Sequence, residues 1–241
     1  FVLIGGLVWY NRFKFSQAEV QYPAAGQFVA VEGIELHYYS KGEGQPVGFI
    51  HGGVLTGADF EQVIEQAEKE GYQAIAFDRP GYGYSERPKK EKVTPMMQAR
   101  LIHGALKKLG VEKPILVAHS WSGTMVLSYA LAYPDEISGI VTLGAAMYKE
   151  GYPAENGDPI SSLVTAPLIG HLLMNTLLRS PLGTAMASKM VEATFAPEPV
   201  PAGYLDTALA LWLRPGQFRA NREDILAFPA ASAKASERYI Q

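Results

Sequence analysis

Residues 119–122 hold a histidine and two serines around a tryptophan, in the stretch Ala118-His119-Ser120-Trp121-Ser122-Gly123. Such a grouping points to nucleophilic attack by a serine hydroxyl, which needs a base to take its proton. It also needs backbone donors to hold the oxyanion that forms. Ser120 is the better placed nucleophile. It follows the apolar run "PILVA" and precedes the helical pattern "WSGTMVLSYALAYP", so it falls at a strand-to-helix junction. A nucleophile on so sharp a turn requires small residues two before and two after it, and Ala118 and Ser122 meet that requirement. Taking Ser122 instead moves the nucleophile into the helix. The Trp121 amide, at the free N-terminus of that helix, is the natural first oxyanion donor. Gly53, in His51-Gly52-Gly53-Val54 after an earlier apolar run, is the expected second, because glycine lets the backbone approach closely.

The elements that must carry these residues alternate along the chain. "QFVAVEGIELHYYSKGEG" reads as a hairpin around Gly33, and "PVGFIHGG" as a strand buried on both faces. A helix follows, with Phe60, Val63, Ile64 and Ala67 at helical spacing and Gly71 closing it. "QAIAFDRPGYGYS" is a buried strand running into a Gly-rich turn. Thr94 caps a helix with Pro95 at its first position, running to Gly110. "PILVAHS", a helix and "ISGIVTLGAA" complete the series. Strands alternating with helices predict an α/β fold, a mostly parallel, doubly wound sheet. From about Tyr148 to Phe228, prolines 153, 159, 167, 181, 197, 199, 201 and 215 break short apolar helical pieces, which predicts a helical insertion. The expected divisions are 1–21, an N-terminal anchor remnant and linker; 22–148, the core; 149–228, a helical cap or lid; and 229–241, the start of a return to the core, with "ASERYIQ" leading into another strand.

Composition narrows the function classes. With 48% hydrophobic and 19% charged residues, the 241-residue chain is globular, and a net charge of −3 without a basic stripe argues against nucleic acid. There is no Cys, and the scattered histidines lack ligand spacing, so no metal is expected. "GYGYSE" lacks the third glycine of a dinucleotide loop, so no cofactor is expected. The opening "FVLIGGLVWYNRFKF" is too short for a bilayer span of roughly 20 apolar residues. Its aromatic and basic end is that of a membrane interface, so membrane association through an N-terminal anchor whose start is missing is expected, the plainer alternative being a strand or helix packed on the domain.

"IHGG", "FDRPGYGYS" and "VAHSWSG", in this order, resemble the α/β-hydrolase fold superfamily, and more closely the bacterial membrane-anchored serine α/β hydrolases with a lid. The resemblance runs from about residue 22 to the end, including "FAPEPVPAGY" and "LRPGQFRANREDI". It implies Ser120 as catalytic nucleophile, with Trp121 and Gly53 giving the oxyanion N–H groups. The family usually has glycine where this chain has Ala118 and Ser122. Asp78 and Arg79 match a turn that supports the site without taking part in the chemistry. Relatives that are haloalkane dehalogenases or epoxide hydrolases place Asp at the nucleophile, so a Ser here implies a Ser-linked acyl-enzyme and a small, apolar acyl substrate.

The triad order in this fold is Ser, then Asp or Glu, then His. Of His37, His51, His103, His119 and His171, only His171 follows Ser120, and it sits in the expected lid. His119 adjoins Ser120 but is expected to project to the opposite side. Glu150 is a possible acid. The acid and base are otherwise expected beyond Gln241, with the final strands missing and the chain truncated at both ends. An esterase-like hydrolase is thus the leading reading, and a non-catalytic hydrolase-fold binding protein the alternative. A cofactor-free haloperoxidase, a C–C bond hydrolase or an acyltransferase would use the same turn.

Overall fold

After the opening helix α1 (Val2–Gln21), the chain reverses at Glu32 and Gly33, both with positive φ (49° and 82°). That pair makes the tight turn that suits twisted antiparallel strands, here β1 (Gln27–Val31) and β2 (Ile34–Lys41). Strand β3 (Gln45–Ile50) is buried along its last four residues, as the apolar run requires. Helix α2 (Glu61–Lys69) follows a 3-10 turn over Gly57–Phe60. The turn and the helix bury Phe60 and Ile64 against β3 and β4 (Tyr72–Phe77), while Val63 of the expected apolar face lies exposed. Helix α3 (Pro95–Lys108) begins as expected: the Thr94 side chain accepts from the Met97 amide and Pro95 takes the first turn.

Strand β5 (Ile115–His119), helix α4 (Gly123–Ala132) and strand β6 (Gly139–Leu143) complete the sheet, whose order is β1-β2-β4-β3-β5-β6. β4, β3, β5 and β6 run parallel, and β1 and β2 form the antiparallel edge. The fold is therefore an α/β fold with a mostly parallel sheet flanked by helices. Leu36, Ile50, Ile75, Phe77, Ile102, Leu116 and Val126 sit in its main core. Among the described residues β6 pairs only with β5, and its Val141 and Leu143 are 46% and 44% exposed.

The computed structural model describes residues 2–152 and 159–239. The chain forms two units, one of residues 25–158 and 223–241 and the other of residues 1–24 and 159–222. The second unit is helical: α1, α5 (Pro159–Thr165), α6 (Ile169–Leu177), α7 (Pro181–Phe195), α8 (Tyr204–Trp212) and the first part of α9 (Pro215–Ser236). Three of the expected helix breakers, Pro159, Pro181 and Pro215, stand instead at helix starts, where the missing N–H costs nothing. Pro153 lies outside the described residues.

Two expected boundaries move. Residues 1–21 do not stand apart, because α1 joins the helical unit. The Asn11 side chain donates to the Thr176 carbonyl at 2.9 Å and accepts from the Arg179 amide at 2.7 Å, and Phe15 packs with Met174, Leu178 and Leu213. The return to the core begins at Glu223 and not at residue 229, and it is helical. α9 runs through Pro229 to Ser236, so no strand begins in "ASERY". An interior proline costs roughly 3 kcal/mol. Here Asp224, Phe228 and Ser232, all fully buried, hold the helix on both sides of it.

Candidate active site

The parallel ladder places the site. Ile50, the last residue of β3, pairs with Ala118 near the end of β5, so the chain segments that follow these two strands start side by side. In open parallel sheets this carboxyl end is where ligands bind. Ser120 follows β5 directly and has φ +52°, a left-handed conformation that costs a side-chain-bearing residue energy. Val54, at the end of the His51–Val54 loop, has φ +56°, rarer still for a β-branched residue. Two of the five non-glycine positive-φ residues among the described residues thus lie on the two facing loops, and such strain gathers at functional sites.

The glycines of the loop are there for space. A Cβ on Gly52 would stand 2.8 Å from the Ser120 Cβ and 3.2 Å from its Oγ. One on Gly53 would stand 2.8 Å from the Trp121 ring. Both loops therefore touch at the residues singled out in the sequence: Ser120, Trp121 and Gly53. Trp121 lies in the first turn after β5 (the 3-10 segment Ser120–Ser122), ahead of α4. Neither the Gly53 nor the Trp121 amide has a hydrogen-bond acceptor among the described residues. Gly123 allows a further close approach: a Cβ there would meet the Ala146 carbonyl oxygen at 2.5 Å.

Ser122 has a different task. It is fully buried, and its hydroxyl faces the carbonyls of Ile50 at 2.8 Å and His119 at 2.9 Å, joining β3 to the turn. Ser120 is half-buried, and its hydroxyl has no hydrogen-bond partner among the described residues.

The histidines are spread. His37 Nδ1 donates to Asp78 Oδ2 at 2.7 Å, while its Nε2 accepts from the Gly26 amide. Asp78 also accepts from the amides of Gly57 and Tyr84, so its carboxylate ties three loops together. His51 is fully buried: its Nε2 accepts from the Arg79 amide at 2.9 Å and its Nδ1 donates to the Gly52 carbonyl at 2.8 Å. Burial, with Arg79 beside it, holds the His51 pKa well below the usual imidazole value. His103 stacks on Tyr133 and bonds to Glu136. His171 is exposed on α6 in the helical unit, and Glu150 is exposed in the turn Lys149–Gly151. His119 does not simply turn away from the loop: its Nδ1 is also 3.2 Å from the Cβ position of Gly52. Burial lowers its pKa, with Asp59 acting in the opposite direction.

Sequence reading missed Asp224. It lies fully buried on α9, where its carboxylate accepts from Arg79, Arg87 and Tyr82. Nothing local signals this role, because the nearest of these partners in sequence is 137 residues away. These bonds occupy both its oxygens, so it is not a free acid for a triad.

A family profile for the alpha/beta hydrolase fold matches residues 45–169. A cis-3-alkyl-4-alkyloxetan-2-one decarboxylase of Shewanella oneidensis is 30% identical over 129 residues, 52% of this chain and 40% of the relative. A 2-hydroxy-6-oxononadienedioate/2-hydroxy-6-oxononatrienedioate hydrolase of Paraburkholderia phymatum is 29% identical over 152 residues, 61% of this chain and 49% of the relative. The matches thus span less than half the length of these two relatives. Among solved structures, an α/β-hydrolase-fold protein from Burkholderia ambifaria superposes with a TM-score of 0.68 at 20% identity, covering 90% of this chain and 76% of that one. A bromoperoxidase from Bacillus anthracis gives 0.63 at 24% identity, covering 85% and 74%. With its parallel sheet, its strained Ser120 after β5 and a profile match over half its length, the chain belongs to the α/β-hydrolase fold family.

Proposed function

We propose that this protein is a serine hydrolase that cleaves an ester or similar acyl bond of a small, apolar substrate. Ser120 attacks the carbonyl, and the Trp121 and Gly53 amides receive the oxyanion of the tetrahedral intermediate. Collapse of that intermediate breaks the scissile bond, expels the alcohol or equivalent leaving group with a proton, and leaves an acyl group on Ser120, which water then releases as the acid. The observation that carries this reading is the left-handed Ser120 at the end of β5 with Gly52 and Gly53 packed against it. The bonds of Ser122 to two carbonyls argue against it as the nucleophile. Among the described residues no histidine nitrogen bonds to the Ser120 hydroxyl. The test is fluorophosphonate labelling of the full-length protein, with the adduct located by mass spectrometry. An adduct on Ser120, lost in Ser120→Ala, supports the reading. An adduct on Ser122 overturns the assignment of Ser120, and no adduct with an intact fold favours the non-catalytic binding protein.

The helical unit is the lid in this reading, and membrane association through α1 belongs to it too. No single helix among the described residues is long and apolar enough to cross a membrane. Yet Val2, Leu3, Trp9 and Phe13 of α1 are exposed, and Arg12 and Lys14 follow the apolar start, as at a bilayer interface. Release of the full-length protein from the membrane fraction on deleting residues 1–10 is the expected result, and its absence would remove the anchor. A series of p-nitrophenyl esters tests the apolar substrate, with butyrate or longer expected to exceed acetate in kcat/KM.

A further inference from the structure

We propose that Asp224 is a positioning residue, which acts through Arg79 to set the direction of the Gly53 amide. The inference rests on Gly53 being an oxyanion donor. The Gly52 carbonyl and the Gly53 N–H belong to one planar peptide, so whatever holds the oxygen also aims the hydrogen, in the opposite direction. Two donors hold that oxygen, Arg79 Nη2 at 3.1 Å and His51 Nδ1 at 2.8 Å. A guanidinium on the carbonyl also polarises the peptide, which strengthens the N–H as a donor.

Arg79 is fully buried, and its guanidinium lies over the Tyr82 ring, 4.4 Å from its centroid, with the Phe228 ring at 5.5 Å. Its other fork nitrogen, Nη1, donates to Gln98 Oε1 and Asp224 Oδ2, both at 3.1 Å. Asp224 in turn accepts from the Tyr82 hydroxyl and from Arg87 Nη2, each at 2.9 Å. It is the acidic group shared by two guanidinium groups in a buried place, and Gln98 is the further neutral partner. Without its charge, Arg87 still pairs with Glu223 at 2.8 Å, but Arg79 has no carboxylate partner among the described residues, and a buried unpaired charge is strongly unfavourable. Arg79 then has reason to shift, and the Gly52–Gly53 peptide loses the donor that is anchored at both ends. A planar fork is what spans Asp224 and Gly52 at once, and lysine cannot replace it.

The experiment compares the full-length protein with Asp224→Asn, and with Arg79→Lys as a second variant should the first fold poorly. Hydrogen exchange read by mass spectrometry is expected to be faster at residues 51–55 in both variants, with β3 and β5 protected as before. Activity on p-nitrophenyl butyrate, counted per fluorophosphonate-titrated site, is expected to fall in kcat on the order of 10- to 100-fold with KM within threefold. Affinity for a trifluoromethyl ketone, which forms a tetrahedral adduct, is expected to fall in parallel with kcat. Unchanged exchange at residues 51–55 in the folded variant overturns the clamp. Faster exchange with an unchanged kcat per site overturns its positioning role. If the wild type shows no Ser120-dependent turnover, the hydrolase reading fails, and the exchange result still decides the clamp.

Discussion

Replacing Ser120 by glycine should make the protein more stable than replacing it by alanine, the reverse of the usual order. Both substitutions remove the hydroxyl, so their difference isolates the backbone. At φ +52° alanine keeps the left-handed strain of a residue with a Cβ, about 1–2 kcal/mol. Glycine has no such strain but gains chain entropy in the unfolded state, which costs about 0.4–1 kcal/mol. The balance favours glycine by about 1 kcal/mol. For a chain of this length the entropy of unfolding is about 0.5 kcal/mol/K, so the calorimetric midpoint of Ser120→Gly should lie about 2 °C above that of Ser120→Ala. Amide exchange in β5 at 25 °C should report a similar difference in opening free energy. The strain argument, and with it the sharp turn that singles out Ser120, is refuted if the alanine variant is as stable as the glycine variant or more so.

Ser122→Ala should keep labelling at Ser120 but lower stability by about 1–3 kcal/mol, because the carbonyls of Ile50 and His119 lose a buried donor; urea midpoints test this. His51 gives a pH dependence whose sign follows from its lowered native pKa. Above about pH 6.5 neither state protonates it, and below that the unfolded chain takes up a proton that the native state refuses. Stability should therefore be intact above pH 6.5 and fall by up to about 1.4 kcal/mol per unit as pH drops. His51→Asn should flatten that slope between pH 6.5 and 5, and an equally steep slope in the variant would remove His51 as its cause. Val141→Lys should reduce light scattering of the 241-residue chain on warming, since it places a charge on the apolar strand β6; unchanged scattering would mean that another surface drives association.

The sheet was legible because its signals are local. Glu32-Gly33 marks the hairpin, Thr94-Pro95 marks α3, and the apolar runs ending in "HGG" and "AHS" mark two strands whose neighbouring ends carry the site. Spacing alone favours Ser120 over Ser122 as the candidate nucleophile. What stayed hidden depends on partners distant in sequence. That α1 packs within the helical unit, the plainer of its two readings, shows only once Asn11 is seen bonded to Thr176 and Arg179. The end of α9 reads as the approach to another strand, because local pattern carries no knowledge that Asp224 and Ser232 are held by buried bonds. His119 was placed by strand alternation, but the left-handed turn at the next residue interrupts that alternation.

The pairing of Ile50 with Ala118 bears on how such a protein can diversify. β3 lies between two parallel neighbours, so adding or deleting one residue in β3 or β5 would shift one facing loop by about 3.3 Å along the strand and turn its side chains to the other face. The length of these two strands is therefore fixed wherever the chemistry is kept. Segment 88–92, with exposed Lys89, Lys90 and Glu91, pairs with no strand among the described residues. A library of length variants should find its tolerated insertions there and almost none in residues 46–50 or 115–119, so new specificities would arise by lengthening connections around a frame of constant length.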